Sequence, residues 1–219
     1  MTIQDHGLPV FRQVWRGHLA DGSEPTELET LRTHLQSLVA TEQLLTASLF
    51  RWEQRLFLYV EAVGVAADPE DLTASLHKDL ACWPGESNPR HWVPMTDIFH
   101  YHQCLGASQW ARKTTPVSRI GRVMRIRPEM AASYIFLHYQ LQEERPASGD
   151  KYGLINLHED LMFFYLEEPA VVEAPLYEGG LSTKNTPGDW HTLMARHFQP
   201  WTKDDVDPQW RPVDCLFAQ

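Results

Sequence analysis

The feature that most constrains the fold is a repetition within the chain. The segment "WEQRLFLYVEA" (52–62) has the same pattern as "HEDLMFFYLEE" (158–168), namely a polar turn followed by large apolar residues. "WVPMTDIF" (92–99) likewise matches "WRPVDCLF" (210–217). The second pair is spaced more widely, and an insertion such as residues 171–182 accounts for the difference. Because the matches keep their order, the sequence predicts an internal duplication.

Hydrophobic periodicity predicts the same series of elements in each half: strand, helix, two strands forming a hairpin, helix, strand. In the first half, the predicted elements are 10–19, 25–42, 44–52, 55–63, 68–83 and 91–101. In the second half, they are 118–127, 128–144, 151–157, 161–168, 186–201 and 210–218. Asp68 is predicted to be an N-cap, with Pro69 in the first helical position.

This β-α-β-β-α-β order, present twice, is that of the ferredoxin-like unit. Two helices cover only one face of a four-stranded sheet, so the other face needs a second sheet against it. We therefore predict an α+β protein with tandem ferredoxin-like repeats, 1–102 and 118–219, joined by a linker, 103–117. The two repeats are expected to form a single-chain dimeric α/β-barrel.

The composition of the chain limits the classes of partner that it could bind. The 219 residues are 43% hydrophobic with a net charge of −10, which disfavours nucleic acid and anionic membrane surfaces. The three cysteines, Cys82, Cys104 and Cys215, lie far apart and predict reduced thiols rather than a disulfide or zinc framework. The N-terminal residues do not resemble a signal peptide, and no stretch reaches the ~18 apolar residues of a membrane helix. We expect a cytoplasmic protein, either a monomer with a pseudo-dimeric barrel or a further homodimer.

A candidate pocket follows from alternation along 152–158. Gly153, Ile155 and Leu157 suit the face that the helices cover. The opposite face is predicted to line a cavity between the sheets, through Tyr152, Leu154, Asn156 and His158. Polar groups among aromatic residues are typical of small-molecule pockets. Arg125, if it faces that cavity, would favour an anionic substrate group, although a solvated arginine is the alternative.

The helix predicted at 128–144 carries Tyr134 six residues after Pro128, and His138 four residues after Tyr134. Tyr134 and His138 therefore share a helix face. This spacing, with Tyr152 early in the next strand, resembles the L-rhamnose mutarotase family over residues 118–219. The resemblance implies that His138 is a general acid or base and that Tyr134 and Tyr152 bind the sugar.

The chain departs from that family at two places. Met194 and Ala195 stand where the family has adjacent tryptophans, and "YQLQ" (139–142) replaces the family's Asn-Pro-Ile-Trp. The first half has Leu28 and Leu31 where a tyrosine would be. The first half is therefore predicted to be a degenerate copy.

A histidine with a pKa near ~6.5 suits the proton transfers of mutarotation without a cofactor. The leading prediction is therefore a cofactor-free isomerase, a mutarotase or epimerase of a monosaccharide or sugar acid, with His138, Tyr134, Tyr152, Asn156, His158 and Arg125 in its site. Two alternatives stay open: a non-catalytic small-molecule-binding protein, and a haem-containing or oxygen-dependent barrel enzyme. No metal site is predicted, because His91, His100 and His102 lack a further ligand at a fixed spacing.

Overall fold

The structure is a computed structural model that describes residues 6–84, 90–205 and 208–219. It is a mixed α+β fold that divides into two compact units. Unit 1 comprises residues 1–95, 104–115 and 214–219, and unit 2 comprises residues 96–103 and 116–213. The strands are β1 (Val10–His18), β2 (Leu44–Trp52), β3 (Arg55–Val63), β4 (Trp92–Pro94), β5 (Thr96–His100), β6 (Ser118–Arg125), β7 (Leu154–His158), β8 (Leu161–Glu168) and β9 (Arg211–Ala218).

The α-helices in the described ranges are α1 (Leu28–Ala40), α2 (Pro69–Leu72), α3 (Ala107–Trp110), α4 (Ala131–Glu144) and α5 (Trp190–Ala195). None of these helices has both the length and the apolar character needed to cross a membrane. Helix α3 lies inside the segment predicted to be a linker, and it belongs to unit 1.

Unit 1 has an antiparallel sheet in the order β4-β1-β3-β2, and residues 214–218 of β9 pair with β2 at its edge. Helix α1 packs on this sheet through Leu31 and Leu35, which are among the most buried residues of the unit. Strand β3 is buried along most of its length, as expected for the apolar run "RLFLYVEAV".

Unit 2 has an antiparallel sheet in the order β9-β6-β8-β7-β5, in which residues 211–213 of β9 pair with β6. Its core lies between this sheet and α4 and α5, and includes Met124, Tyr134, Ile155, Met162 and Met194. Each unit therefore buries one face of its sheet beneath helices.

Three predicted elements differ from the structure in more than the positions of their ends. The helix predicted at 68–83 starts as expected, since the Asp68 carboxylate accepts a hydrogen bond from the Glu70 amide at 2.9 Å. The α-helix ends at Leu72, however, and a separate 3-10 helix follows over Ala74–Asp79. The Thr73 hydroxyl donates to the Pro69 carbonyl (2.7 Å) and accepts from the Trp92 indole (2.6 Å), and this tertiary contact is absent from any local pattern.

The helix predicted at 186–201 contains only the α-helix Trp190–Ala195. The Thr186 amide donates to the Glu144 carboxylate at 2.7 Å, which holds the preceding residues as a loop. The predicted strand 91–101 is divided at Met95 into β4, which pairs with β1, and β5, which pairs with β7.

Candidate functional site

Unit 2 contains a cavity of about 640 Å³ between its sheet and the helices α4 and α5. This volume lies in the range of ~300–1,000 Å³ typical of small-molecule sites. Aromatic side chains form much of the wall, and the lining includes Phe99, Tyr101, Tyr134, His138, Phe164, Trp190, His191, Phe198, Gln209 and Trp210. Among the described lining residues, none is Asp, Glu, Lys or Arg.

Helix α4 brings Tyr134 and His138 to this cavity. Pro128 opens a short 3-10 helix, Pro128–Met130, and the α-helix follows directly at Ala131. Residues four apart lie on one face of a helix, so both side chains are directed at the sheet. Both are buried, whereas Phe136 and Tyr139 are exposed on other faces of the same helix.

His138 is a neutral hydrogen-bond acceptor in this environment. Its Nδ1 lies 2.9 Å from the Tyr134 carbonyl oxygen, which only accepts, so Nδ1 carries the proton and donates. Burial lowers the pKa of His138 to about 4, with a further lowering from His197, and these outweigh the opposing effect of the bond to Tyr134. At neutral pH the other ring nitrogen, Nε2, therefore carries a lone pair for a ligand.

Aromatic rings explain why the His138 imidazole is so poorly solvated. Its centroid lies 4.0 Å from that of Tyr134, and 4.9 Å from those of both Phe99 and Trp190, the latter two in edge-to-face geometry. Burial also raises the pKa of Tyr134 well above its ordinary value, with a smaller effect from Tyr101. The Tyr134 phenol therefore stays protonated at neutral pH.

A second buried histidine lies next to this pair. His197 donates from Nδ1 to the Leu193 carbonyl at 3.0 Å, and its Nε2 lies 3.0 Å from the Ser133 hydroxyl. Its ring meets that of Tyr134 edge-on, with centroids 5.8 Å apart. Both ring nitrogens of His197 therefore have hydrogen-bond partners within the protein. Of the two histidines, His138 is the one whose Nε2 can accept a hydrogen bond from a ligand.

The other predicted site residues lie elsewhere. Arg125, Leu161 and His158 are paired across β6, β8 and β7, so their side chains form one row on one face of the sheet. Met124, Met162 and Leu157 are paired in the same way and form a second row, next to the first and on the other face. The second row belongs to the core beneath the helices, so Arg125 and His158 lie on the opposite face of the sheet.

Asn156 also lies on that opposite face, because its neighbours Ile155 and Leu157 face the helices. Tyr152 precedes β7 and is buried, with the Lys151 ammonium 5.6 Å from its ring centroid. The structure therefore brings Tyr134 and His138 together at the cavity, but it does not bring Arg125, Asn156, His158 or Tyr152 into it.

Sequence reasoning missed the two tryptophans of the cavity wall. Trp190 lies one helical turn before Met194 on α5, and Met194 stands where the mutarotase family has a tryptophan. Because residues four apart share a helix face, this spacing could have indicated Trp190. Trp210 has no such signal, because it precedes β9 and reaches the cavity only through the tertiary fold. Its ring lies 5.5 Å from Phe164 and 6.1 Å from Phe198.

No protein-family model matches the chain, and no curated protein matches it in sequence. A solved structure that is similar over its length is a proposed monooxygenase from Fusobacterium nucleatum subsp. nucleatum, with 10% identity and a TM-score of 0.44. The match covers 98% of this chain and 95% of that chain. A similarity at this level gives no argument about activity.

Proposed function

We propose that unit 2 is a small-molecule-binding module whose ligand is planar, mainly apolar and uncharged, with a hydroxyl or N–H group that donates to His138 Nε2. The observation that carries this proposal is a buried, neutral imidazole with one nitrogen held by the backbone, in the wall of an aromatic cavity. The lack of a charged side chain in the described lining favours an uncharged ligand, since a buried charge needs a partner.

The properties of His138 and Tyr134 favour a non-catalytic binding protein over the predicted isomerase. Mutarotation needs a group that accepts a proton and another that donates one near neutral pH. With a pKa of about 4, His138 is a weak base, and the raised pKa of Tyr134 makes its phenol a poor acid. The comparisons give no support to mutarotase activity either.

The binding proposal is tested by calorimetry with 2-naphthol and with naphthalene, which differ by one hydroxyl. We expect 2-naphthol to bind more tightly, and His138→Leu to weaken it by up to about tenfold, the value of one hydrogen bond of ~0.5–1.5 kcal/mol. Naphthalene should bind both proteins alike. Tyr139→Phe, on an exposed face of α4, is the matched control. Equal affinities of the two compounds for the unmodified protein would contradict the role of His138.

The same protein should be assayed by NMR for exchange between the anomers of L-rhamnose. We expect no acceleration that depends on His138. Acceleration that disappears in His138→Leu would instead establish the mutarotase chemistry that the sequence resemblance implies.

A second candidate, haem binding, is favoured by one specific observation. A histidine that ligates a metal commonly donates its other ring N–H to a backbone carbonyl, and His138 makes this bond. Haem would supply redox chemistry, and His138 Nε2 would hold its iron. Because the described lining has no Lys or Arg, the propionates would have to reach solvent. Titration with hemin, followed through the Soret band in wild type and His138→Ala, decides this candidate.

We also propose that the two units are copies of one ferredoxin-like unit. Supporting observations are the equivalent strand orders, β4-β1-β3-β2 and β9-β6-β8-β7, and a matching buried pair in each. The Tyr59 hydroxyl donates to Glu61 on β3, and the Tyr165 hydroxyl donates to Glu167 on β8. The single-chain dimeric α/β-barrel arrangement of the copies stays a prediction.

A further inference from the structure

Three side chains with metal-ligand atoms converge in unit 1, far from the cavity residues of unit 2 in sequence. They are Glu70 in α2, His77 in the 3-10 helix that follows, and His91 directly before β4. Glu70 Oε2 lies 2.8 Å from His91 Nδ1 and 3.2 Å from His77 Nε2. One ligand atom from each residue lies within 4.8 Å of the other two.

The surroundings hold this carboxylate in a fixed orientation. Its other oxygen, Glu70 Oε1, accepts hydrogen bonds from the backbone amides of His91 (2.6 Å) and Trp92 (3.1 Å). Oε2 is therefore directed at the two imidazoles.

The two imidazoles are positioned by contact with each other and, for His91, by a thiol. Their rings stack with centroids 4.4 Å apart and an interplanar angle of 20°. His91 Nε2 lies 3.6 Å from the Cys82 thiol, on the side away from Glu70. Such a contact at the outer nitrogen is how proteins orient a ligating histidine and fix its tautomer.

His77 Nε2 is a buried polar atom within this cluster. This nitrogen is buried but forms no hydrogen bond with a described residue, although Glu70 Oε2 is only 3.2 Å away. The contact is too poorly aligned to be a hydrogen bond. A buried polar atom without a partner costs free energy, and an ion placed between the three groups would remove that cost.

We propose that Glu70, His77 and His91 bind a divalent transition-metal ion, with Zn²⁺ as the best match. Two imidazoles and one carboxylate form a ligand set that zinc uses with water in the fourth position. Zinc–ligand bonds of ~2.0–2.1 Å place tetrahedral ligand atoms about 3.4 Å apart. The observed separations are somewhat shorter, so small rotations of the side chains admit the ion. Its binding would cross-link α2, the 3-10 helix and the start of β4.

Sequence spacing did not reveal this cluster. The histidines near His91 in sequence are His100 and His102, and the His100 ring contacts the Asp97 carboxylate at 3.0 Å. The intervals between positions 70, 77 and 91 follow no standard metal motif, and only the turn of the chain between α2 and β4 brings them together.

The test is calorimetric titration of the full chain, freed of metal by chelation, with ZnCl₂. We expect one Zn²⁺ per chain and a thermal midpoint that rises with added zinc. His77→Gln should lower the affinity by more than about 100-fold, because even second-shell changes at zinc sites cost 10–100-fold. Because His77 Nε2 forms no hydrogen bond and the ring is held by stacking on His91, this variant should unfold close to the wild-type temperature without metal. That result separates loss of a ligand from loss of the fold.

Two further variants make the assignment specific. His34→Gln, on the exposed face of α1, should bind Zn²⁺ like wild type. Cys82→Ser should lower the affinity by no more than about 10–100-fold and should keep a measurable site, because the thiol contacts only the outer nitrogen of His91. The proposal is wrong if wild type takes up no zinc, if His77→Gln binds it equally well, or if Cys82→Ser abolishes binding.

Discussion

At the scale of single residues, burial determines what the titratable groups of this protein can do. His138 is 4% exposed and surrounded by aromatic rings, so the fold favours its neutral form. Glu61 is fully buried too, but it is paired with Arg112, and both of its oxygens are in use. His138 is neutral because no opposite charge accompanies it, whereas Glu61 keeps its charge because Arg112 is beside it.

The free energy of unfolding is expected to depend on pH through His138. Because the pKa of His138 is about 4 in the fold and ~6.5 when unfolded, the unfolded chain binds the extra proton between these values. His138 therefore contributes to stability above pH ~6.5, and this contribution of about 3 kcal/mol is lost as the pH falls towards 4. Urea unfolding of His138→Leu from pH 4 to 7 should show a flatter profile than wild type.

His34→Leu, at an exposed position on α1, is the control and should keep the wild-type slope. A His138→Leu profile as steep as that of wild type would show that His138 is not protonated on unfolding in this range.

The second prediction concerns the buried carboxylate of unit 1. Burial pushes the pKa of Glu61 upwards, but the charge and hydrogen bonds of Arg112 bring it below its ordinary value. Arg112→Met removes the direct ion pair of this buried carboxylate, which keeps its hydrogen bonds from Tyr59 and Trp110, and should lower the free energy of unfolding by up to about 3–5 kcal/mol. Arg32→Met, which removes a long ion pair with Glu29 at 3.7 Å, should change it by less than about 1 kcal/mol. Equal effects in urea unfolding would contradict the importance of the buried pair.

At the scale of elements, the C-terminal end of α4 holds the long connection between β8 and α5. The Glu144 carboxylate accepts hydrogen bonds from the Asn185 and Thr186 amides and from the Thr183 and Thr186 hydroxyls. Gly179 packs so closely on the same end that a Cβ atom there would lie 1.9 Å from the Glu143 carbonyl oxygen. The Gly180 amide also donates to the Glu143 carboxylate at 2.7 Å, so the predicted insertion, 171–182, and the residues after it are anchored to the helix that carries His138.

The third prediction follows from this anchor. Glu144→Ala should make residues 171–186 more susceptible to limited proteolysis, because the four hydrogen bonds that this segment donates to the carboxylate are lost. Burial opposes ionisation, but the bonds from Thr183, Thr186 and Asn185 lower the pKa of Glu144. The anchor is therefore complete above pH ~4.3 and weakens as acid protonates the group. Glu129→Ala, exposed before α4, is the control and should leave the cleavage rate unchanged.

At the scale of the whole molecule, the last strand contributes to both sheets. Residues 211–213 pair with β6 in unit 2, and residues 214–218 pair with β2 in unit 1. The C-terminal Gln219 continues this contact, since its amide donates to the Ala47 carbonyl at 2.9 Å. A segment at the end of the chain is therefore part of the sheet formed by its first third.

The fourth prediction tests this long-range pairing. Deletion of residues 214–219 should leave the β2 amides that face β9 without partners and increase their hydrogen–deuterium exchange. Amides between β1 and β3 should keep more of their protection, because that pairing does not involve β9. Unchanged exchange in β2 would show that the pairing with β9 contributes little to its protection.

The sequence by itself determined what depends on neighbours along the chain. Strands β2, β3 and β8 have the predicted bounds, because a turn and an apolar run are local signals. The shared face of Tyr134 and His138 is likewise a property of helical geometry alone. The α+β class follows from the order of these elements.

Only the tertiary structure decided which groups meet and how well they are solvated. The sheet separates Arg125, Asn156 and His158 from the cavity, and the aromatic wall makes His138 a neutral acceptor. Folding also brings Glu70, His77 and His91 together from separate elements. Packing between distant segments sets the local dielectric and the distances between side chains, and these quantities have no counterpart in the spacing of residues along the chain.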